Sequence, residues 1–246
     1  MKTNNQVFLQ GDNGKAVLLM HGLTSGASQM IPMAHYLNDY GYSVSCVNIA
    51  GHGTYPEDLS HTTSSDMIIK AEFDYANLSK DYREIFVGGI STGGLLAMML
   101  CSRHPEIKGC ISISAPAKLV AGTFISKAYE DKEEYLNRPL EGKVGIFKKY
   151  HVHYERIFVR IFDELRQLMQ VVLQPEILNK VKCPAFIVHA MDDDIAEPGS
   201  EDLIAELLGG MKVEIYKPLK GGHLSILSEG RDEIFKKTIE FLSKVE

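Results

Sequence analysis

Glu84-Ile-Phe-Val-Gly-Gly-Ile-Ser91-Thr-Gly-Gly-Leu-Leu-Ala-Met-Met-Leu100 is the stretch on which the reading of the chain turns. Its first five residues form a short apolar, β-branched run of the kind that builds a buried strand. Gly94 to Leu100 reads as a helix, and between the two lies Gly89-Ile90-Ser91-Thr92-Gly93, a G-x-S-x-G pattern in strand, turn, helix context. Such a turn must hold Ser91 in a strained backbone conformation with its hydroxyl exposed. Side chains at 89 and 93 would collide with the adjoining strand and helix, so glycine is expected at both. The bare pattern arises by chance in roughly one chain of this length in ten, so its meaning depends on what surrounds it.

Further buried-strand runs are Ala16 to Met20, Tyr42 to Val47, Cys110 to Ile113, Ala185 to His189 and Lys212 to Tyr216. Helical spacing covers roughly 28 to 40, 65 to 80, 92 to 103, 200 to 208 and 230 to 244. This alternation predicts an α/β fold: a mostly parallel sheet covered by helices on both faces, with right-handed crossovers. Residues 117 to 178 break the rhythm, with charged segments such as Glu130 to Glu134, an amphipathic run from Ile157 to Leu173, and no convincing strand. They are expected to form a helical cap inserted into a single domain spanning 1 to 246. Its stripe of Ile157, Ile161, Leu165, Leu168 and Val172 could cover the carboxyl edge of the sheet or simply pack the cap onto the body.

With 246 residues, 45% of them hydrophobic, the chain can bury one sizeable core. A formal charge of -6, with no basic run longer than Lys148-Lys149 or Lys236-Lys237, gives no reason to expect a nucleic-acid partner. The only apolar stretch near the start, Val7 to Gln10, is too short for a signal peptide. No window reaches the roughly 18 apolar residues of a membrane span, so a cytoplasmic protein is expected. Cys46, Cys101, Cys110 and Cys183 show no Cys-x-x-Cys spacing and read as reduced core residues.

Chemistry needs partners for Ser91. His21-Gly22-Leu23-Thr24 follows the strand Ala16 to Met20, where a loop can bring the Leu23 N–H beside the serine, and Thr92 N–H heads the next helix. These two are the candidate oxyanion donors, and His21 is expected to organise its loop. Among nine histidines, His223 in Gly221-Gly222-His223 is the best base, because it follows the strand ending at Tyr216 and precedes the last helix. His35, His104 and His189 fall on helices or a strand. His151 and His153 fall on the cap, without the third ligand that a metal site would need. An acid is expected after Ala185 to Ala190, where Asp192, Asp193 and Asp194 are all available.

The order serine, aspartate, histidine is that of α/β-hydrolases, and the chain resembles compact bacterial carboxylesterases of the monoglyceride-lipase-like branch. The resemblance runs nearly end to end. It covers HGLTS from His21, Gly51-His52-Gly53 with Pro56 to Leu59 and His61-Thr62, GGISTGG, Ser114-Ala115-Pro116, AMDDDIAEP from Ala190, and GGH ending at His223. It implies an α/β-hydrolase fold and a serine esterase with Ser91 as nucleophile, His223 as base and Asp193 as acid, the last by counting from Ala190, whereas counting back from Pro198 allows Asp193 or Asp194. The sequence departs from the family at Met191-Asp192, where a basic or polar residue is common, and at Leu23, where Phe often stands. The expected substrate is a small uncharged ester of short to medium acyl chain, with no metal or organic cofactor. Monoacylglycerol lipase, hydroxycinnamoyl esterase, thioesterase and amidase activities share the same residues, and a silent scaffold that binds a ligand through its cap is the non-enzyme alternative.

Overall fold

The computed structural model describes residues 6–123, 132–137, 145–152, 154–209 and 212–245. Its main sheet has seven strands in the order β1-β3-β2-β4-β5-β8-β9. They are β1 (Val7–Leu9), β2 (Lys15–Met20), β3 (Ser43–Val47), β4 (Glu84–Ile90), β5 (Gly109–Ile113), β8 (Ala185–Val188) and β9 (Val213–Tyr216). All neighbours are parallel except β1, which pairs antiparallel with β3, Val7 opposite Cys46. The sequence reading missed β1, because three residues with an exposed Phe8 carry too little periodicity to announce an edge strand.

The parallel strands read as continuous apolar runs because both faces are covered. In β2, Ala16, Leu18 and Met20 join one core and Val17 and Leu19 the other, as the two-residue period of a strand requires. The first core is closed by α3 (Ser64–Leu78) and α4 (Thr92–Arg103), the second by α1 (Ile31–Asp39) and α9 (Arg231–Leu242). Helix α4 is buried from Thr92 to Ser102, which is why its sequence is apolar all round rather than amphipathic. A short helix α2 (Pro56–His61), begun by proline and with Glu57 and Asp58 in its first turn, lies where only a loop was expected.

The segment between β5 and β8 corrects the sequence reading. It does contain strands: β6 (Tyr135–Asn137) pairs antiparallel with β7 (Arg156–Phe158), Leu136 opposite Ile157. Ile157 therefore belongs to a strand and not to the helical stripe. Its burial comes from the sheet pairing and the core beneath, which helical spacing alone could not distinguish. The helices here are α5 (Gly145–Tyr150), α6 (Arg160–Val172) and α7 (Pro175–Leu178). On α6, Ile161, Leu165, Leu168 and Val172 are buried as their spacing predicted. Polar ties add to this packing: Tyr154 Oη accepts from Gly53 N–H (2.8 Å), Glu164 accepts from Ser64 N–H at the start of α3 (2.8 Å), and Arg160 donates to Ser60 O (3.1 Å). Of the charged run, Lys132, Glu133 and Glu134 are exposed, and 130 and 131 lie outside the described residues. The remaining helix, α8 (Ser200–Leu207), follows β8.

Candidate active site

Ser91 sits between β4 and α4 at φ 55°, ψ −117°, a conformation disfavoured for any residue with a Cβ. Its N–H is held by Ile113 O of β5 at 2.8 Å. The flanking glycines are required by space: a Cβ on Gly89 would lie 2.5 Å from both Met20 O and Gly93 C, and one on Gly93 would strike Met20 O. The turn can be this sharp only because two backbones approach where side chains would stand. Thr92 opens α4, where the first N–H groups have no intrahelical acceptor and the helix dipole is positive.

The loop after β2 approaches from the side. A Cβ on Gly22 would meet Ser91 Cβ at 3.4 Å, so residues 22 and 91 are near neighbours, and Leu23 lines the same cavity as Ser91. His21 is wholly buried. Its Nε2 accepts from Ile49 N–H (3.0 Å), so Nδ1 carries the proton and donates to Gly22 O (2.7 Å). Burial, then the neighbouring His52, holds its pKa well below the usual histidine value, and the neutral ring serves as a fixed strut. Gln29 and Asn48 complete the loop and were missed in the sequence: Gln29 Oε1 accepts from Gly22 N–H (2.8 Å) and Asn48 Oδ1 from Ala27 N–H (2.7 Å). Neither lies in a recognisable motif, since each acts through the fold on a backbone donor.

His223 arrives from the loop after β9, shaped by Gly221 and by Gly222, whose φ of +60° suits glycine. Its Nδ1 lies 3.0 Å from both oxygens of Asp193. Against an ionised carboxylate Nδ1 must be the donor, which leaves Nε2 as the lone-pair nitrogen. Of the three aspartates, Asp193 alone is buried and meets His223. Burial pushes its pKa up, but the hydrogen bond and charge of His223 and the N–H groups of Ile195 and Ala196 (both 2.9 Å to Oδ1) outweigh that and hold it below the usual carboxylate value. Asp192 is exposed and accepts from Gly222 N–H (2.8 Å), tying the acid loop to the histidine loop, while Asp194 stands exposed at the cavity rim.

Ser91, His223 and Leu23 open onto one cavity of about 350 Å³, whose apolar wall is Phe147, Phe162, Leu165, Ile195 and Leu224. Phe147 is contributed by α5 and Phe162 and Leu165 by α6, so these two helices supply part of the cavity wall that Ser91 faces. A larger cleft, about 710 Å³, is lined mostly by charged residues such as Glu57, Glu133 and Asp163 and contains none of the candidate site residues. His151 lines the serine cavity with Nδ1 3.3 Å from Ser25 Oγ, and His153 lies outside the described residues. Among the described residues no cluster of His, Cys, Asp or Glu is arranged to hold a metal, and the four cysteines are buried and unpaired by disulfides. No described helix is long and apolar enough to cross a membrane.

Comparison with known proteins places the chain in a family. Residues 11–140 match the family profile described as Hydrolase_4, serine aminopeptidase S33. The chain is 31% identical to a thermostable monoacylglycerol lipase of Bacillus sp. (strain H-257), over 95% of this chain and 92% of that protein. It is 26% identical to a carboxylesterase of Bacillus subtilis (strain 168), over 97% and 96%. Among solved structures, one reported with LipS and LipT, two metagenome-derived lipolytic enzymes, superposes with a TM-score of 0.86 over 99% of both chains at 23% identity. The monoacylglycerol lipase of Paleococcus ferrophilus does so with 0.76 over 98% and 99% at 18% identity. From the family match over 11–140, the end-to-end relatives and the seven-stranded sheet with its serine turn, the chain belongs to the Hydrolase_4 family of α/β-hydrolases, on the monoglyceride-lipase-like branch.

Proposed function

We propose that the protein is a cytoplasmic serine carboxylesterase that hydrolyses uncharged esters of short to medium acyl chain through an acyl-enzyme on Ser91. The observation that carries this reading is the clamp of His223 Nδ1 on both oxygens of Asp193 at the wall of a cavity that also opens on Ser91. In the proposed reaction, His223 Nε2 takes the hydroxyl proton as Ser91 Oγ attacks the ester carbon. The C–O bond to the alcohol then breaks, and the imidazolium returns the proton to that leaving alcohol. Water, activated by the same nitrogen, attacks the acyl-enzyme, releasing the acid and restoring the serine. Leu23 and Thr92 N–H groups receive the oxyanion in both halves.

Residues 117–178 act as the cap. A cavity of about 350 Å³ is at the small end for ligand sites, and its apolar wall favours a modest hydrocarbon chain. Monoacylglycerols are the second reading, favoured by the 31% identical relative of that name. The aminopeptidase description attached to the family makes amide hydrolysis the alternative to exclude.

The test is hydrolysis of p-nitrophenyl esters from acetate to palmitate, of monoacylglycerols and of aminoacyl p-nitroanilides, by wild type and Ser91→Ala. Ser91-dependent turnover that peaks on short or medium esters is expected. Turnover of anilides in preference to esters would overturn the ester reading, and ester activity that survives in Ser91→Ala would overturn the nucleophile.

A further inference from the structure

Against Asp193 Oδ2, the oxygen that also meets His223, stands a second histidine that the proposed reaction leaves unused. His189 directly follows β8 and is buried, with 1% of its surface exposed. Its Nε2 lies 3.1 Å from Ala196 O and 3.5 Å from Asp193 Oδ2. Ala196 in turn donates its N–H to Asp193 Oδ1 at 2.9 Å, so the contacts form a closed ring through both oxygens of the acid. On the far side, His189 Nδ1 makes no hydrogen bond and faces Glu201 Oε2 of α8 at 3.7 Å. Glu201 is itself 1% exposed. It is held by Gly199 N–H at 2.8 Å and by Lys217 at 3.0 Å, and Lys217 also pairs with Asp202.

A histidine and a glutamate buried this deeply are costly unless their polar atoms are matched. Hydrogen bonding of Nε2–H to a carbonyl is the arrangement that places a donor, rather than a lone pair, beside the Asp193 carboxylate. The charged groups around the ring are Asp193 from its own loop, Glu201 from α8, Lys217 beyond Glu201 and His223 beyond Asp193. Of these, His223 meets Asp193 directly, whereas Glu201 and Lys217 lie on the Nδ1 side of His189.

We infer that His189 is a positioning residue for Asp193: its Nε2–H ties Ala196 O and Asp193 Oδ2 together, so that the carboxylate faces His223. The inference rests on the proposed catalytic roles of Asp193 and His223, and it predicts a property of His223 measurable without any substrate. An Asp193 carboxylate held against His223 favours the imidazolium form. A loosened carboxylate favours it less, so His223 then protonates at lower pH.

The test compares wild type, His189→Leu and His189→Gln, in which the glutamine nitrogen approximates Nε2 of the ring. The His223 ring protons are titrated by NMR, and kcat and KM are measured on the best ester. In His189→Leu the His223 titration should move down by about half a pH unit or more, and kcat should fall about tenfold or more with KM unchanged, because the carboxylate that orients His223 is displaced while the substrate cavity is untouched. His189→Gln should restore both. Coincident titrations of wild type and His189→Leu would overturn the inference, as would a Gln variant as displaced as the Leu variant. If His189→Leu does not fold, His189→Asn, whose nitrogen falls short of Ala196 O, takes its place with the same expected shift. The NMR arm stands even if no ester is turned over, so failure of the esterase reading and failure of this inference give different results.

Discussion

His21 and His223 both stand at the carboxyl edge of the sheet beside Ser91, and the contrast between them shows what makes an imidazole available for chemistry. The His21 ring has both nitrogens committed to backbone, Nε2 to Ile49 and Nδ1 to Gly22, and is wholly buried with its pKa driven well down. His223 commits Nδ1 alone, to Asp193, and presents the rest of its ring, 13% exposed, to the cavity. Side-chain chemistry is the same in both. The partner of the second nitrogen decides that one ring is a strut and that the other is free to serve as the proposed base.

The comparison breaks most sharply if the two rings can exchange roles. Ser91→Ala and His223→Ala should each lower kcat about 10⁴-fold to 10⁶-fold, the range seen when a member of such a triad is removed, with unchanged circular dichroism. His21→Gln should keep measurable turnover in whatever fraction folds, and catalysis lost through His21 with the fold intact would reverse the assignment. Asp193→Asn comes next, with kcat down about 10⁴-fold because an amide favours the wrong tautomer of His223. Asp192→Asn and Asp194→Asn should stay near wild type in a steady-state assay.

A pH series sharpens the strut half of the contrast through His52, whose ring lies tilted beside that of His21 at 5.2 Å between centroids. Burial lowers the His52 pKa to about 4, opposed by its hydrogen bond to Ala50 O. The unfolded chain therefore binds a proton below the ordinary histidine value that the folded chain refuses until about pH 4. Stability should fall with pH across that window, by about 3 kcal/mol in full. Urea midpoints measured from pH 7 to pH 4 should fall less steeply in His52→Asn than in wild type, and parallel slopes would refute it. The smallest effect is on His21 itself: His21→Gln at pH 7 should cost about 1–3 kcal/mol of unfolding free energy, because Ile49 N–H or Gly22 O loses its buried partner.

Much of this was legible in order along the chain. The Gly89 to Gly93 turn, the apolar runs of β2 to β5, β8 and β9, and the loops that carry His21, Asp193 and His223 follow from local rules: glycine where backbones touch, unbroken apolar runs where both faces are covered, and polar residues after strand ends. Less was legible where pairing is distant. Strands β1 and β6 have three residues each and take their identity from partners 19 to 39 residues away, and Ile157 looked helical because it stands one helical turn before Ile161 in the stripe of α6.

Sequence alone determined the α/β layering, the strained serine turn and the order of the three candidate catalytic residues, because each depends on residue type at short separation. Tertiary structure decided what the chain order left open: that Asp193 and not Asp194 is the buried aspartate in contact with His223, how His21 is locked and that His189 lies against Asp193. Those outcomes rest on which atoms are buried together, and burial is set by the closure of strands and loops far apart in the chain.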